Sequence, residues 1–298
     1  MSSSLRIALT ADLHWGSRHP AGDLATRRLV DALNREPPDV LIVAGDIGTV
    51  EHFDECLALF DGIDCRKALV PGNHDIWVAE NDARGDSLTV YRQHLPTVSA
   101  AHGFHYLDGG PMLLPEADLV LVGSINWYDY SWSIDRLRQQ LPDCDAWLKQ
   151  KRFVRGRHND GKFVRWPLDD VRFTAEVVSK LGTDLESALG QVGRAVVVVH
   201  HPPWYGLNYP AAADNSSPPI DRLLWEAFSG NRSMEALLER FADQVPLAFC
   251  GHTHFARESH LGPIHGYNIG GDYHFKRLLR LDWPAGTVTA EDFHAEDV

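Results

Sequence analysis

The chain of 298 residues carries 28 Lys and Arg against 41 Asp and Glu, a formal charge of −13, with 44% hydrophobic and 23% charged residues. This composition excludes collagen-like, coiled-coil and disordered classes, supports a core without covalent staples, and disfavours extended binding to nucleic acid, whose phosphates reward the opposite charge balance. Cys56, Cys65, Cys144 and Cys250 form no CxxC pair or dense framework, and the sequence shows neither a secretory leader nor an apolar run approaching the ~20 residues that span a bilayer. A cytoplasmic protein with no membrane partner is the expectation.

Short runs rich in Val, Ile and Leu alternate with helical patterns, the signature of strands and helices around a buried sheet. Arg6 to Thr10, Asp39 to Ala44 and Lys67 to Val70 read as the first three strands. Between them, Leu24 to Glu36 places Leu29, Val30 and Leu33 on one helical face before Pro37-Pro38, and Glu51 to Asp61 repeats Phe53, Cys56, Leu57 and Phe60 at helical spacing. These are two consecutive βαβ units, for which right-handed crossovers are expected. A helical stretch ending near Leu95 leads to strands at Gly103 to Leu107 and Leu119 to Gly123.

From Trp127 to Gly193 the chain turns aromatic, basic and helical, with an apolar stripe through Val171, Ala175, Val178, Leu181, Leu185 and Leu189. It reads as an insertion at about 127–193 in a single domain spanning 1–298. Ala195 to Val199 returns to strand, a loop covers Pro202 to Pro219, and helical residues lead to a strand at Pro246 to Cys250. Strands near Ile264 to Ile269 and Arg277 to Trp283 are expected to close a second sheet.

Five strand ends finish in residue types that bind metals: Asp12-Leu13-His14, Gly45-Asp46, Gly72-Asn73-His74-Asp75, His200-His201-Pro202 and Gly251-His252-Thr253-His254. Singly, each has a structural alternative, since Asp12 could cap a helix, the glycine pairs could be turns and His200 could be a satisfied core histidine. Ligands of open α/β sheets bind beyond the carboxyl ends of the strands, so the five in order converge on one site.

The ordered set DxH, GD, GNH[DE], HxP and GHxH resembles the calcineurin-like metallophosphoesterase family, over a span from Arg6 to about Tyr273. The resemblance implies a four-layer α/β/β/α sandwich, two mixed sheets flanked by helices, holding two metal ions. Asp12, His14 and His254 would bind one ion, Asn73, His200 and His252 the other, and Asp46 would bridge them. His200 rather than His201 takes the role because it fills the first position of HxP. Imidazole, carboxylate and amide ligation suits Mn, Fe or Zn, as divalent or mixed-valence ions, and not an all-oxygen Ca site. The implied reaction is hydrolysis of a small phosphomonoester or phosphodiester by a hydroxide activated by two metals. His74, beside Asn73, would protonate the leaving group, with Asp75 placed to orient it. Competing readings are a DNA nuclease of the same superfamily and a non-catalytic scaffold that binds partners through the insertion.

Gly156 to Lys162 fits P-loop spacing, but Phe163 replaces the hydroxyl residue and no strand precedes it, so the match is rejected. The stretch Lys149 to Arg165 carries seven Lys or Arg against one Asp and reads either as a solvated face or as a flap contacting substrate phosphate. Asn126, Trp127, Tyr128, Tyr130, Trp204 and Tyr205 could border the site or pack in the core. His102, His105, His158, His260 and His265 stand outside any motif, and Gly270-Gly271 reads as a tight turn near the site. The sequence assigns no substrate-contacting residue and no oligomeric state.

Overall fold

The computed structural model describes residues 3–210 and 219–296. The expected Pro202 to Pro219 loop is thus described only to Pro210, its remainder through 218 lying outside these residues. The described residues form two six-stranded sheets. The first contains β1 (Leu5–Thr10), β2 (Val40–Ala44), β3 (Arg66–Val70) and β4 (Phe104–Tyr106). The second contains β5 (Met112–Leu114), β6 (Leu119–Ser124), β7 (Arg194–Val199), β8 (Leu247–Cys250), β9 (Arg257–Leu261) and β10 (Ile264–Asn268). β11 (Phe275–Trp283) and β12 (Thr287–His294) return to the first sheet. The orders are β12-β11-β1-β2-β3-β4 and β5-β6-β7-β8-β10-β9.

The strands through β4 are parallel to one another, which the helices Pro20–Arg35 and His52–Ala58 allow by crossing between them. Parallel strands covered on both faces have apolar side chains in both directions, and β2 is buried at every position. Leu5, Ile7 and Leu9 of β1, Val40 and Ile42 of β2, Val196 and Val198 of β7, and Leu247 and Phe249 of β8 share one core between the sheets. The alternate residues Ala8, Leu41 and Val43 meet the helices of the first sheet, whereas Val197, Ala248 and Cys250 meet those of the second. The period of two along each strand thus builds the two facing sheets and their helical outer layers.

Two expectations need correction. Arg277 to Trp283 does not close the second sheet: it lies in β11, which pairs antiparallel with β1 from Leu5↔Trp283 to Thr10↔Leu278 and covers what would otherwise be an open edge of the first sheet. The helix Asp170–Leu189, counted in the insertion, packs Val178, Leu181 and Leu185 against Val122 of β6 and Val197 of β7, so this part of the stretch is an outer layer of the second sheet. The short strand β5 and the polar β9 and β12 were not anticipated.

The loops beyond β1, β2 and β3 are tied together before any ligand is considered. Asp12 and His14 donate their backbone N–H to the carbonyls of Gly45 and Asp46, at 3.0 and 2.8 Å. Asp75 is buried and turned inward: Oδ1 accepts from the backbone N–H of Ile47 and Gly48 at 2.8 and 3.0 Å, and Oδ2 from that of Gly72 at 2.7 Å. The carboxylate therefore fastens the loop after β2 to the loop after β3 and does not reach His74 as the sequence suggested. Asp75→Ala would leave three buried N–H groups without a partner, and a loss of about 3–5 kcal/mol of unfolding free energy is expected for the metal-free protein by urea denaturation. A loss under 1 kcal/mol would show that the loops hold without it.

Candidate dinuclear metal centre

The residues singled out in the five motifs converge at the carboxyl ends of β1, β2, β3, β7 and β8. Two donor groups form. The ligand atoms of Asp12, His14, Asp46 and His254 all lie within 4.8 Å of one another, as do those of His200, His201 and His252. Asn73 joins the second group, its Oδ1 3.1 Å from His200 Nε2 and 3.2 Å from His252 Nδ1. Asp46 stands between the groups, with Oδ1 3.3 Å from His200 Nε2 and Oδ2 3.6 Å from His14 Nε2.

Backbone conformation reflects this crowding. Asp12, His14, Asp46, His252 and His254 all have positive φ, between 44° and 72°, a region that costs side-chain-bearing residues energy and persists where the surroundings impose it. The motif glycines provide clearance: a Cβ on Gly72 would collide with the Asp46 carboxylate, one on Gly45 with the His200 ring and one on Gly251 with Asp12. Gly270 and Gly271 also have positive φ, as the expected turn requires, and lead to Tyr273, whose ring stacks on His14 at 4.4 Å.

The donors fit cations. His14 Nε2 and His254 Nε2 point tip to tip at 2.9 Å, an arrangement of two imidazole nitrogens that suits a shared electrophile. His200 Nδ1 lies 3.0 Å from the Ala44 carbonyl, which only accepts, so Nδ1 holds a proton and Nε2 is the atom left to face Asp46 and Asn73. Burial pushes His14 and His252 well below the usual imidazole range, keeping both rings neutral and able to ligate. Burial also works against a charged His200, but the Asp46 and Asp12 carboxylates outweigh it and raise that ring to about 9, so without a cation Nε2 carries a proton as well, which a bound ion would displace to take up the lone pair. In Asp46 the nearby His200 and His74 overcome burial and hold the carboxyl well below its ordinary value.

His201 binds the Ile125 carbonyl through Nδ1 at 3.2 Å, and its buried Nε2 has no partner among the described residues. Its ring centroid is 4.1 Å from that of His252, so it backs that ring. His74 donates its backbone N–H to Asp46 Oδ1 at 2.9 Å, and its Nε2 is 3.8 Å from Asp46 Oδ2. Trp77 stacks on its ring at 3.6 Å, so an aromatic face orients His74 where Asp75 was expected to.

Several groups here escaped sequence analysis. Lys276, fully buried on β11, donates to the Asp12 and Asp272 carbonyls at 3.0 and 2.6 Å and holds the DxH loop. Asp160 of the rejected P-loop stretch reaches Asn73, with Oδ1 accepting from Nδ2 at 2.9 Å. It was the single acid in a basic run, which was the available signal. Trp127, Tyr128 and Trp204 are buried and belong to the packing, whereas Tyr205 is exposed. Lys149, Lys151 and Arg157 of the basic stretch line a cavity of about 540 Å3 within the 127–193 region, and Lys151 is buried against Asp170.

The chain matches the calcineurin-like phosphoesterase family over residues 5–256. Among solved structures it is similar to phosphopantetheinyl hydrolase from Mycobacterium tuberculosis, with a TM-score of 0.66 at 18% identity over 90% of this chain and 89% of that one. A dimetal phosphatase from Danio rerio aligns with a TM-score of 0.56 at 14% identity, over 98% of this chain and 99% of that one. These likenesses are of fold, and no curated protein matches the chain. With a family match over most of its length and two adjoining donor groups at the strand ends, the chain belongs to the calcineurin-like phosphoesterase family and is a metal-dependent phosphoric ester hydrolase.

Proposed function

We propose that the chain hydrolyses a small phosphomonoester or phosphodiester at a pair of Mn, Fe or Zn ions, within a single domain. The reading rests on Asp46, which turns one carboxylate oxygen to each donor group. Asp12, His14 and His254 would hold one ion, Asn73, His200 and His252 the other, with Asp46 shared. Bound there, the ions would neutralise phosphate charge and acidify the attacking water. Two carboxylate ligands against two divalent ions leave a net positive crevice in a chain of formal charge −13, which favours a compact phosphate over an extended polyanion.

His74 is proposed to protonate the departing oxygen. Its side chain is partly exposed where that of Asp46 is buried, and Trp77 fixes its plane, so a substrate oxygen can approach it without displacing a ligand. Among the described residues no helix is long and apolar enough to cross a membrane, and free thiols at Cys56, Cys65, Cys144 and Cys250 suit the reducing cytoplasm.

Two measurements test the assignment. Asp46→Asn should lose more metal and more activity than Asn73→Ala, because it removes a charge shared by both ions; elemental analysis finding two metals per chain in Asp46→Asn would refute the bridge. His74→Asn should keep both metals and cost little with p-nitrophenyl esters, whose leaving group departs unprotonated, but about two to four powers of ten with alkyl esters. Loss of a metal would make His74 a ligand, and equal losses for both esters would remove its role as proton donor.

A further inference from the structure

Asn73 can serve a cation only through Oδ1, because its amide nitrogen carries two hydrogens and no usable lone pair. A half-turn about the terminal side-chain bond would present that nitrogen instead at little cost in shape. Something must select the orientation. His200 Nε2 and His252 Nδ1 stand 3.1 and 3.2 Å from Oδ1, but both are themselves metal-ligand atoms and must turn lone pairs to a cation.

The group on the opposite side of the amide is Asp160. It lies at the start of the short helix Asp160–Phe163, 87 residues from Asn73, and is fully buried. Its Oδ1 accepts from Asn73 Nδ2 at 2.9 Å and from Trp77 Nε1 at 2.8 Å, while Oδ2 accepts from the Tyr128 hydroxyl at 2.9 Å. A carboxylate is an acceptor only, so it holds the amide hydrogens to itself and leaves Oδ1 facing the donor group. The same carboxylate anchors the indole that stacks on His74. The segment is docked from both ends of this contact: Val78 donates its N–H to the Phe163 carbonyl at 2.9 Å, and the Phe163 ring packs on Trp77 at 5.0 Å.

We propose that Asp160, supplied by the 127–193 region, is a positioning residue of the metal centre: it orients Asn73 toward the second ion and, through Trp77, sets the plane of His74. The helical stretch thereby completes the site and does more than cover it. The inference rests on the dinuclear reading above, and its test reads metal binding so that the two can fail separately.

Metal-free wild type, Asp160→Asn, Asp160→Ala and Tyr128→Phe would be titrated with Mn2+ by calorimetry, and the loaded proteins compared by electron paramagnetic resonance. Wild type should bind two ions with an exchange-coupled spectrum. Asp160→Ala should bind the second ion about 10- to 100-fold more weakly while the first is unchanged, giving an uncoupled signal at one equivalent. Asp160→Asn should lie between, since its amide still accepts from one donor. Tyr128→Phe removes a donor to Asp160 without touching Asn73 and should keep both affinities within a few-fold. If wild type itself binds no pair of ions, the dinuclear reading fails. If it does, and the folded Asp160 variants bind both ions as wild type does, or lose both equally, or if Tyr128→Phe matches Asp160→Ala, the positioning role is overturned. Should both Asp160 variants fail to fold, the wild-type Asn73 side-chain amide decides: its protons should be resolved and protected from solvent exchange by NMR, and rapid exchange would refute the hydrogen bond.

Discussion

One carboxylate has to face two groups of donors at once, and much of the local backbone answers to that demand. Asp46 can turn Oδ1 toward His200 and Oδ2 toward His14 only if the chains on both sides come close. That closeness forbids a Cβ at Gly45 and Gly72 and drives Asp46 itself, with Asp12, His14, His252 and His254, into the left-handed region. Strain of this kind persists because the surroundings over-determine it. Here the surroundings are the backbone bonds between the loops after β1 and β2, the three amides gathered by Asp75 and the Lys276 ammonium on the Asp12 carbonyl.

The two facing sheets make a second demand. Ligands from β1, β2 and β3 must register with ligands from β7 and β8, across a core whose strands alternate side chains inward and outward. Direct bonds carry that register. The His252 backbone N–H meets both oxygens of Asp12, at 3.0 and 3.1 Å, and His200 Nδ1 meets the carbonyl of Ala44. His200 and Asn73 share one logic. Each has two inequivalent polar ends, and each spends its unwanted end on a group that can only accept, Ala44 oxygen in one case and Asp160 in the other. The lone pairs left over then point the same way.

What was legible in the sequence follows from how local each signal is. Strands such as Val40–Ala44 and Arg194–Val199 announce themselves because both faces are buried, and the ligand types directly after them mark the site without knowledge of how the sheets pair. β9 has no buried position and β12 only Phe293, so they carried no apolar run to read. The placement of β11 failed because pairing with β1 is set by which edge lies open, a property of the assembled sheet. Asp75 was read as a partner of its neighbour His74, but its backbone donors come from two loops that only the fold brings together. Asp160 was hidden for the same reason: its bond to Asn73 spans the distance between a core loop and a region of separate character. Trp127 and Tyr128 could not be told apart from rim aromatics until burial was known.

Access separates the roles within this crowded centre. The side chains of Asp12 and His200 are inaccessible, and those of His14 and Asp46 are 2% exposed, whereas His74 and His254 stand at 19% and 23%. A substrate approaching from solvent therefore meets the His74 and His254 side before it meets any other ligand-type residue in this comparison. Of the inaccessible pair, Asp12 is tied to the opposite sheet through the His252 N–H and His200 to the Ala44 carbonyl. The proposed hydrolysis would use the buried ligands behind and His74 as its proton donor in front. Burial lowers the His74 pKa and favours its neutral ring in the metal-free protein, while Trp77 holds that ring at the edge of the opening, the side from which the proposed proton transfer would have to be made.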